Sequence, residues 1–188
     1  MEQEFLKDVI ARLEKTGLPY ALTGSIASNF WGIPRTTHDV DVVVVLSAAD
    51  VPRVVAAFGD CYYVSEPAVR DAVSQNSMFN VIDFSTSLKA DLWVTGNQPF
   101  NQSMLARRCR VEIVPGQEGY IGSPEDVLLH KLVWHTITPS ERQLADAAGI
   151  AAVQTGKLDL DYMRRWAAQQ GTADLLEAVL QGKYLKQT

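Results

Sequence analysis

Two aspartates two positions apart, Asp39 and Asp41, open a run that is otherwise valine: Asp39-Val40-Asp41-Val42-Val43-Val44-Val45. β-Branched residues at that density predict a buried strand. Strand side chains alternate between faces, so both carboxylates project from one face, about 7 Å apart. Carboxylates held that close repel each other unless a cation lies between them. Mg²⁺ takes hard oxygen ligands and is usually held by one or two carboxylates together with waters and substrate phosphates. The pair therefore reads as half of a metal site that a triphosphate would complete. Fourteen residues before Asp39 stands Ser25, preceded by Gly24. A strand-to-helix turn there offers backbone N–H groups and a hydroxyl to phosphate oxygens. The bland account has Asp39 capping a loop and Asp41 pairing with Arg35 or another base at the strand edge. A purely structural domain leaves the acids of a valine-rich strand unexplained.

The elements that must position these residues follow from periodicity and turn chemistry. Phe5, Val9, Ile10 and Leu13 fall at helical spacing between Glu2 and Lys15, and Gly17 then Pro19 end that helix. Tyr20-Ala21-Leu22 reads as a short strand, and Ile26 to Trp31 as a brief helix stopped by Gly32 and Pro34. Ala48 to Phe58 predicts a crossover helix, Cys61 to Val64 a strand and Glu66 to Val73 a short helix. Phe79 to Phe84 and Lys89 to Val94 make a hairpin through Ser85-Thr86-Ser87-Leu88. A helix comes next from Pro99 to Arg108, then strand material at Arg110 to Val114 and Tyr120-Ile121. From Ser123 the pattern changes. Ser123-Pro124-Glu125-Asp126 supplies an N-cap, a proline at the first helical position and an acid at the third, predicting a helix to about Ile137. Ser140 to Thr155, Asp159 to Gln169 and Thr172 to Leu180 continue as helices. The plan is mixed α/β to about residue 122 and all-α afterwards, an α+β chain with a C-terminal helical bundle.

Composition narrows the function classes. The 188 residues are 47% hydrophobic and 21% charged, which suits one compact unit with a helical tail. The first residues carry acids where a secretory signal carries positive charge, and no apolar run approaches the roughly 18–20 residues of a membrane span. A cytoplasmic protein without membrane contact is expected. Neither Cys61 nor Cys109 has zinc-ligand spacing, and both are expected to be buried thiols. The net charge of −5 does not attract nucleic acid as a whole-molecule field. Arg107, Arg108 and Arg110 form the basic cluster best suited to RNA, and their ordinary role is to meet the last carbonyls of a helix. Trp31, Trp93, Trp134 and Trp166 are expected in the core.

Thr23-Gly24-Ser25 followed by Ile33-Pro34-Arg35-Thr36-Thr37-His38-Asp39-Val40-Asp41 resembles the signature of the DNA polymerase beta-type nucleotidyltransferase superfamily. More narrowly it is similar to the minimal bacterial and archaeal nucleotidyltransferases of the AbiEii toxin type. The resemblance implies a nucleotidyltransferase fold, a short mixed sheet flanked by helices, with a catalytic core over residues 1–122 and a helical region over 123–188 packed on it. It also implies a third carboxylate from a later strand, and Ala90-Asp91-Leu92-Trp93 matches, so Asp91 joins Asp39 and Asp41 as metal ligand and catalytic residue. Asp83, in Val81-Ile82-Asp83-Phe84, competes for that place, with a hairpin pairing to Lys89 as its ordinary role. Glu112 is a weaker rival. The stretch Ser123 to Leu132 looks like the helix that brings a lysine toward the triphosphate, which makes Lys131 the fourth catalytic residue. Its ordinary alternative is a solvent-facing lysine. Arg142-Gln143 and Asp146 look like the next motif, in which an aspartate lies near that lysine. Gly24, Ser25, Arg35 and Asp146 are thus the nucleotide-binding candidates. The turn departs from the Gly-Gly of many relatives, and Leu144-Ala145-Asp146 lacks their Arg-Asp.

The activity implied is transfer of a nucleoside monophosphate from an NTP to a hydroxyl acceptor, with two Mg²⁺ ions and loss of pyrophosphate. The AbiEii likeness implies an RNA or tRNA end as acceptor, a toxin role and a cognate antitoxin. Other members of the superfamily modify proteins or aminoglycosides. The rival from another class is a nucleotide-binding or toxin–antitoxin partner module without turnover. His38 reads as a hydrogen-bonded neighbour of the acidic strand, and His130 and His135 as helix-surface or interhelical residues.

Overall fold

The computed structural model describes residues 2–96 and 98–185. In chain order the elements begin with α1 (Glu2–Thr16), β1 (Tyr20–Thr23), α2 (Gly24–Trp31), β2 (Val40–Val44), α3 (Val51–Phe58), β3 (Tyr62–Tyr63) and α4 (Glu66–Gln75). They continue with β4 (Met78–Asp83), β5 (Lys89–Val94), α5 (Pro99–Arg107), β6 (Cys109–Val114), β7 (Gln117–Ile121), α6 (Pro124–Ile137), α7 (Glu141–Val153), α8 (Leu160–Gln170) and α9 (Ala173–Leu180). Two units result, one of Met1–Thr23 with Thr37–Ile121 and one of Gly24–Thr36 with Gly122–Thr188.

The first unit is a mixed sheet, seven-stranded among the described residues, in the order β3-β4-β5-β2-β1-β7-β6. β2 runs parallel to β5 and β1 parallel to β7, and the remaining neighbours are antiparallel. The alternation of side chains makes its two faces unlike. One carries Tyr20, Leu22, Val42, Val44, Phe79, Val81, Leu92 and Val94, all essentially buried. α1 packs on β7 and α4 on β4 and β5 at this face, with α3 lodged against α1 and α4. On the other face Ala21 and Val43 meet Met104 and Leu105 of α5, with Trp93 against them. That apolar patch ends where Asp41 and Asp91 begin.

The second unit gathers the short α2 with the C-terminal helices. Two glycines allow it. A Cβ on Gly32 would lie 2.8 Å from the Ile150 nitrogen and 2.9 Å from the Ser28 carbonyl oxygen, and Gly149 faces Ile33 as closely as 3.3 Å. Trp31 Nε1 donates to the Gly122 carbonyl at 2.7 Å, and Gln154 Nε2 to the Trp31 carbonyl at 2.8 Å. The α6 start has the capping geometry expected, since Ser123 Oγ accepts from the Asp126 N–H at 3.2 Å. Its acids also tie α6 to the start of α8. Asp126, fully buried, accepts from Ser123 Oγ at 2.7 Å and from the Tyr162 hydroxyl at 2.5 Å, and Glu125 accepts from the Asp159 N–H at 3.1 Å.

Two expectations fail. Cys61 is exposed, because Tyr62 is the inward residue of that edge strand and its predecessor alternates outward, and Cys109, at the start of the opposite edge strand, is only half-buried. The tryptophans are not core residues either: Trp31, Trp93 and Trp166 are half-buried and Trp134 is exposed. Their ring N–H groups account for part of this, since an indole seeks a polar partner at the edge of a core. Among the described residues no helix is long and apolar enough to cross a membrane.

Candidate functional site

Strand register decides which acids can act together. In the parallel pair β2 and β5, Asp41 lies directly beside Asp91, and in the antiparallel pair β4 and β5, Asp91 lies beside Asn80. Residues opposite one another share a face, so Asp41, Asp91 and Asn80 project together. Lys89 and Trp93, two residues either side of Asp91, project there as well. The contacts agree: Lys89 Nζ donates to Asp91 Oδ2 at 2.7 Å, Asn80 Nδ2 to Asp91 Oδ1 at 3.3 Å, and Trp93 Nε1 to Asp41 Oδ1 at 3.4 Å. Asp39 stands one residue ahead of β2, 63% exposed, its Oδ1 3.9 Å from the same Lys89 ammonium. The hydrogen bond to Asp91 raises the Lys89 pKa above its ordinary value, with the charges of Asp91, Asp39 and Asp41 adding and burial opposing.

Asp83 belongs elsewhere. Ile82, not Asp83, pairs with Lys89, so Asp83 is out of phase with Asp91 and on the other face. Its Oδ1 accepts from the Ser85 N–H at 2.7 Å and from Ser85 Oγ at 2.8 Å, which fixes the hairpin turn. The expected pairing of Asp83 with Lys89 is therefore absent, and Lys89 serves Asp91 and Asp39 instead. Glu112 caps another turn, accepting from the Gly116 N–H at 2.7 Å. His38 meets Glu2 at 2.5 Å at the surface. Within the arginine cluster, Arg108 takes the ordinary helix-end role. Arg108 donates to the Leu105 carbonyl at the end of α5 and lies over the Tyr120 ring, and Arg110 pairs with Glu118 and Glu14.

The second unit holds the other candidates. Lys131 is buried, 4% exposed, and donates to Asp146 Oδ2 at 2.8 Å. The solvent-facing alternative fails, because its neighbours Val127, Leu128 and Leu132 form the buried stripe of α6 and draw its stem inward. Arg35 grips the same carboxylate with both prongs, Nε to Oδ1 at 2.8 Å and an Nη to Oδ2 at 2.9 Å, and that Nη also donates to Ser25 Oγ at 2.7 Å. Ser28 Oγ donates to the Gly24 and Ser25 carbonyls at 3.1 Å each. Gly24 takes φ +60°, the left-handed region that favours glycine, where α2 begins. Burial raises the Asp146 pKa, but the Arg35 hydrogen bond and the charge and hydrogen bond of Lys131 outweigh it and hold the carboxyl below its usual range. Two cations, Arg35 and Lys131, thus share the Asp146 carboxylate.

Among the described residues no group of three or more His, Cys, Asp and Glu side chains is disposed to hold a metal ion. The set Asp39, Asp41 and Asp91 is thus not drawn together as a closed cage. Two carboxylates aligned by register, with a third ahead of the strand, do match the partial oxygen set that Mg²⁺ takes when phosphates and waters supply the rest. The cation already beside Asp91 and Asp39 is the lysine that opens β5. Sequence reasoning missed Lys89, Trp93 and Asn80 as residues of this face. The signal for the first two was present, since Lys89, Asp91 and Trp93 stand two apart on one strand.

No protein-family model matches the chain, and no curated protein matches it in sequence. Solved structures do. An antigenic nucleotidyltransferase-like protein from Paracoccidioides brasiliensis aligns with 96% of this chain and 93% of its own, at 17% identity and a TM-score of 0.56. JHP933 from Helicobacter pylori aligns over 96% and 89%, at 13% identity and a TM-score of 0.52. TM1012 of Thermotoga maritima, a candidate nucleotidyltransferase, aligns over 89% and 92%, at 12% identity and a TM-score of 0.51. At such identities the likeness is one of architecture, and the α+β chain with its mixed sheet and flanking helices has the nucleotidyltransferase fold.

Proposed function

We propose that the chain is a divalent-cation-dependent nucleotidyltransferase that moves a nucleoside monophosphate from an NTP to a hydroxyl acceptor. The observation that carries this reading is the register of β2 and β5, which sets Asp41 beside Asp91 on one sheet face with Asp39 leading into the same strand. Asp39, Asp41 and Asp91 would hold Mg²⁺, which when bound neutralises triphosphate charge and acidifies a hydroxyl. The acceptor oxygen forms the new bond to the α-phosphorus, the bond to the β-phosphate oxygen breaks, and pyrophosphate leaves. On this reading Asp91 takes the acceptor's proton. In the second unit, Gly24, Ser25, Arg35 and Lys131 are the proposed partners of phosphate oxygens, with Asp146 holding the two cations in place.

An RNA or tRNA end as acceptor, a toxin role and a cognate antitoxin rest on the likeness of the Gly24-Ser25 and Asp39-Val40-Asp41 motifs to AbiEii-type sequences. The net charge of −5 weighs against a polyanionic acceptor and keeps protein and aminoglycoside hydroxyls in contention.

The test is thermal stabilisation by each of the four NTPs with and without Mg²⁺, followed by pyrophosphate release with candidate acceptors. Stabilisation that needs Mg²⁺ and is lost in Asp41→Asn is the expected result. Binding without release under any acceptor would support the module without turnover, and no Mg²⁺-dependent binding at all would overturn the reading.

A further inference from the structure

Lys89 stands where a bound cation would be useful. Its ammonium donates to Asp91 Oδ2 at 2.7 Å and lies 3.9 Å from Asp39 Oδ1, while Asn80 holds the other Asp91 oxygen at 3.3 Å. The two partners differ in freedom. The Asp91 side chain is 13% exposed and fixed at both oxygens, whereas the Lys89 side chain is 44% exposed, so its flexible stem can carry the ammonium into water. A divalent ion approaching Asp91 meets a positive charge already bonded to its ligand, and like charges at that range oppose each other.

We propose that Lys89 is a tethered counter-cation of the carboxylate face, which a divalent ion must displace from Asp91. The inference rests on the reading of Asp39, Asp41 and Asp91 as metal ligands. It makes Lys89 a positioning residue with two effects. Without metal it neutralises carboxylates that would otherwise repel, and it keeps metal affinity low until triphosphate oxygens add to the ligand set. The swing of Lys89 off Asp91 also frees an ammonium beside any phosphate that arrives with the ion.

The experiment titrates the full chain with Mn²⁺ in the absence of nucleotide and follows the free-ion EPR signal. Lys89→Met removes the charge and keeps the stem, and it is expected to bind Mn²⁺ about tenfold more tightly than the unaltered protein. Lys89→Arg retains the cation and should stay within about twofold of the unaltered protein. Circular dichroism checks that each variant is folded, and Lys89→Gln replaces Lys89→Met should the latter not fold. Equal or weaker Mn²⁺ binding in the charge-removing variant overturns the inference alone. Asp91→Asn, made in both backgrounds, tests the reading beneath it. Mn²⁺ binding that ignores Asp91→Asn, or no Mn²⁺ binding in any of the proteins, overturns the carboxylate site itself.

Discussion

Asp83 and Asp91 stand in similar apolar settings, yet one caps a turn and the other joins Asp41, and the difference is one residue of phase across the β4 and β5 ladder. Their substitutions should separate accordingly. Asp91→Asn is expected to abolish Mg²⁺-dependent NTP binding, measured by calorimetry. Asp83→Asn should leave that binding intact and cost about 1 kcal/mol of stability in urea, through weakened bonds from Ser85. The opposite pattern would exchange their roles. At the Asp146 cluster, loss of the shared anion decides the outcome. Asp146→Ala removes the buried carboxylate that both Lys131 and Arg35 bond and should cost about 3–5 kcal/mol. Lys131→Met leaves Arg35 on Asp146 and should cost clearly less, while weakening NTP binding and leaving Mn²⁺ affinity without nucleotide unchanged. Equal stability losses in the two variants would show that Asp146 does not organise the cluster.

The elements were legible wherever one physical signal dominated. The valine run made β2 unmistakable, Ser123-Pro124 fixed the start of α6, and Gly17 marked the end of α1. Less legible was whatever depends on partners distant in sequence. Asp83 and Asp91 could not be separated without register, and the fate of Lys89 turned on whether it paired with residue 82 or 83. Cys61 and the tryptophans were misplaced because composition reports average burial, whereas strand phase and edge position decide each case. The grouping of Gly24–Thr36 with the C-terminal helices rests on Gly32 and Gly149, whose lack of side chains brings backbones together. In the sequence Gly32 is only a helix stop. Gly32→Ala tests the structural role: a methyl 2.8 Å from the Ile150 nitrogen has no room, so the variant should lose about 1–3 kcal/mol in urea. A stable Gly32→Ala protein would show that α2 and α7 do not need this approach.

For the whole molecule, acid is the condition under which the buried charge arrangement should fail, and it should fail in two stages. Burial pushes the His130 imidazole down to about 4 in the folded chain, against about 6.5 when unfolded. Between those values the unfolded chain binds a proton that the folded chain does not. The contribution of a neutral His130 is therefore complete above pH 6.5 and is lost as pH falls toward 4, a change of at most about 3 kcal/mol. Asp146 acts in the same direction at lower pH. Its carboxyl is held below the usual range, so its contribution is present above its unfolded value of 3.8 and disappears as pH falls through the folded value. Thermal unfolding measured from about pH 7 to about pH 3 should show a decline beginning near pH 6.5, well before the carboxylates titrate. His130→Asn should flatten the profile between pH 6.5 and 4 and leave the steeper loss below it. An unaltered profile in His130→Asn would mean that the imidazole ionises freely in the folded chain, and the early decline would then belong to another group.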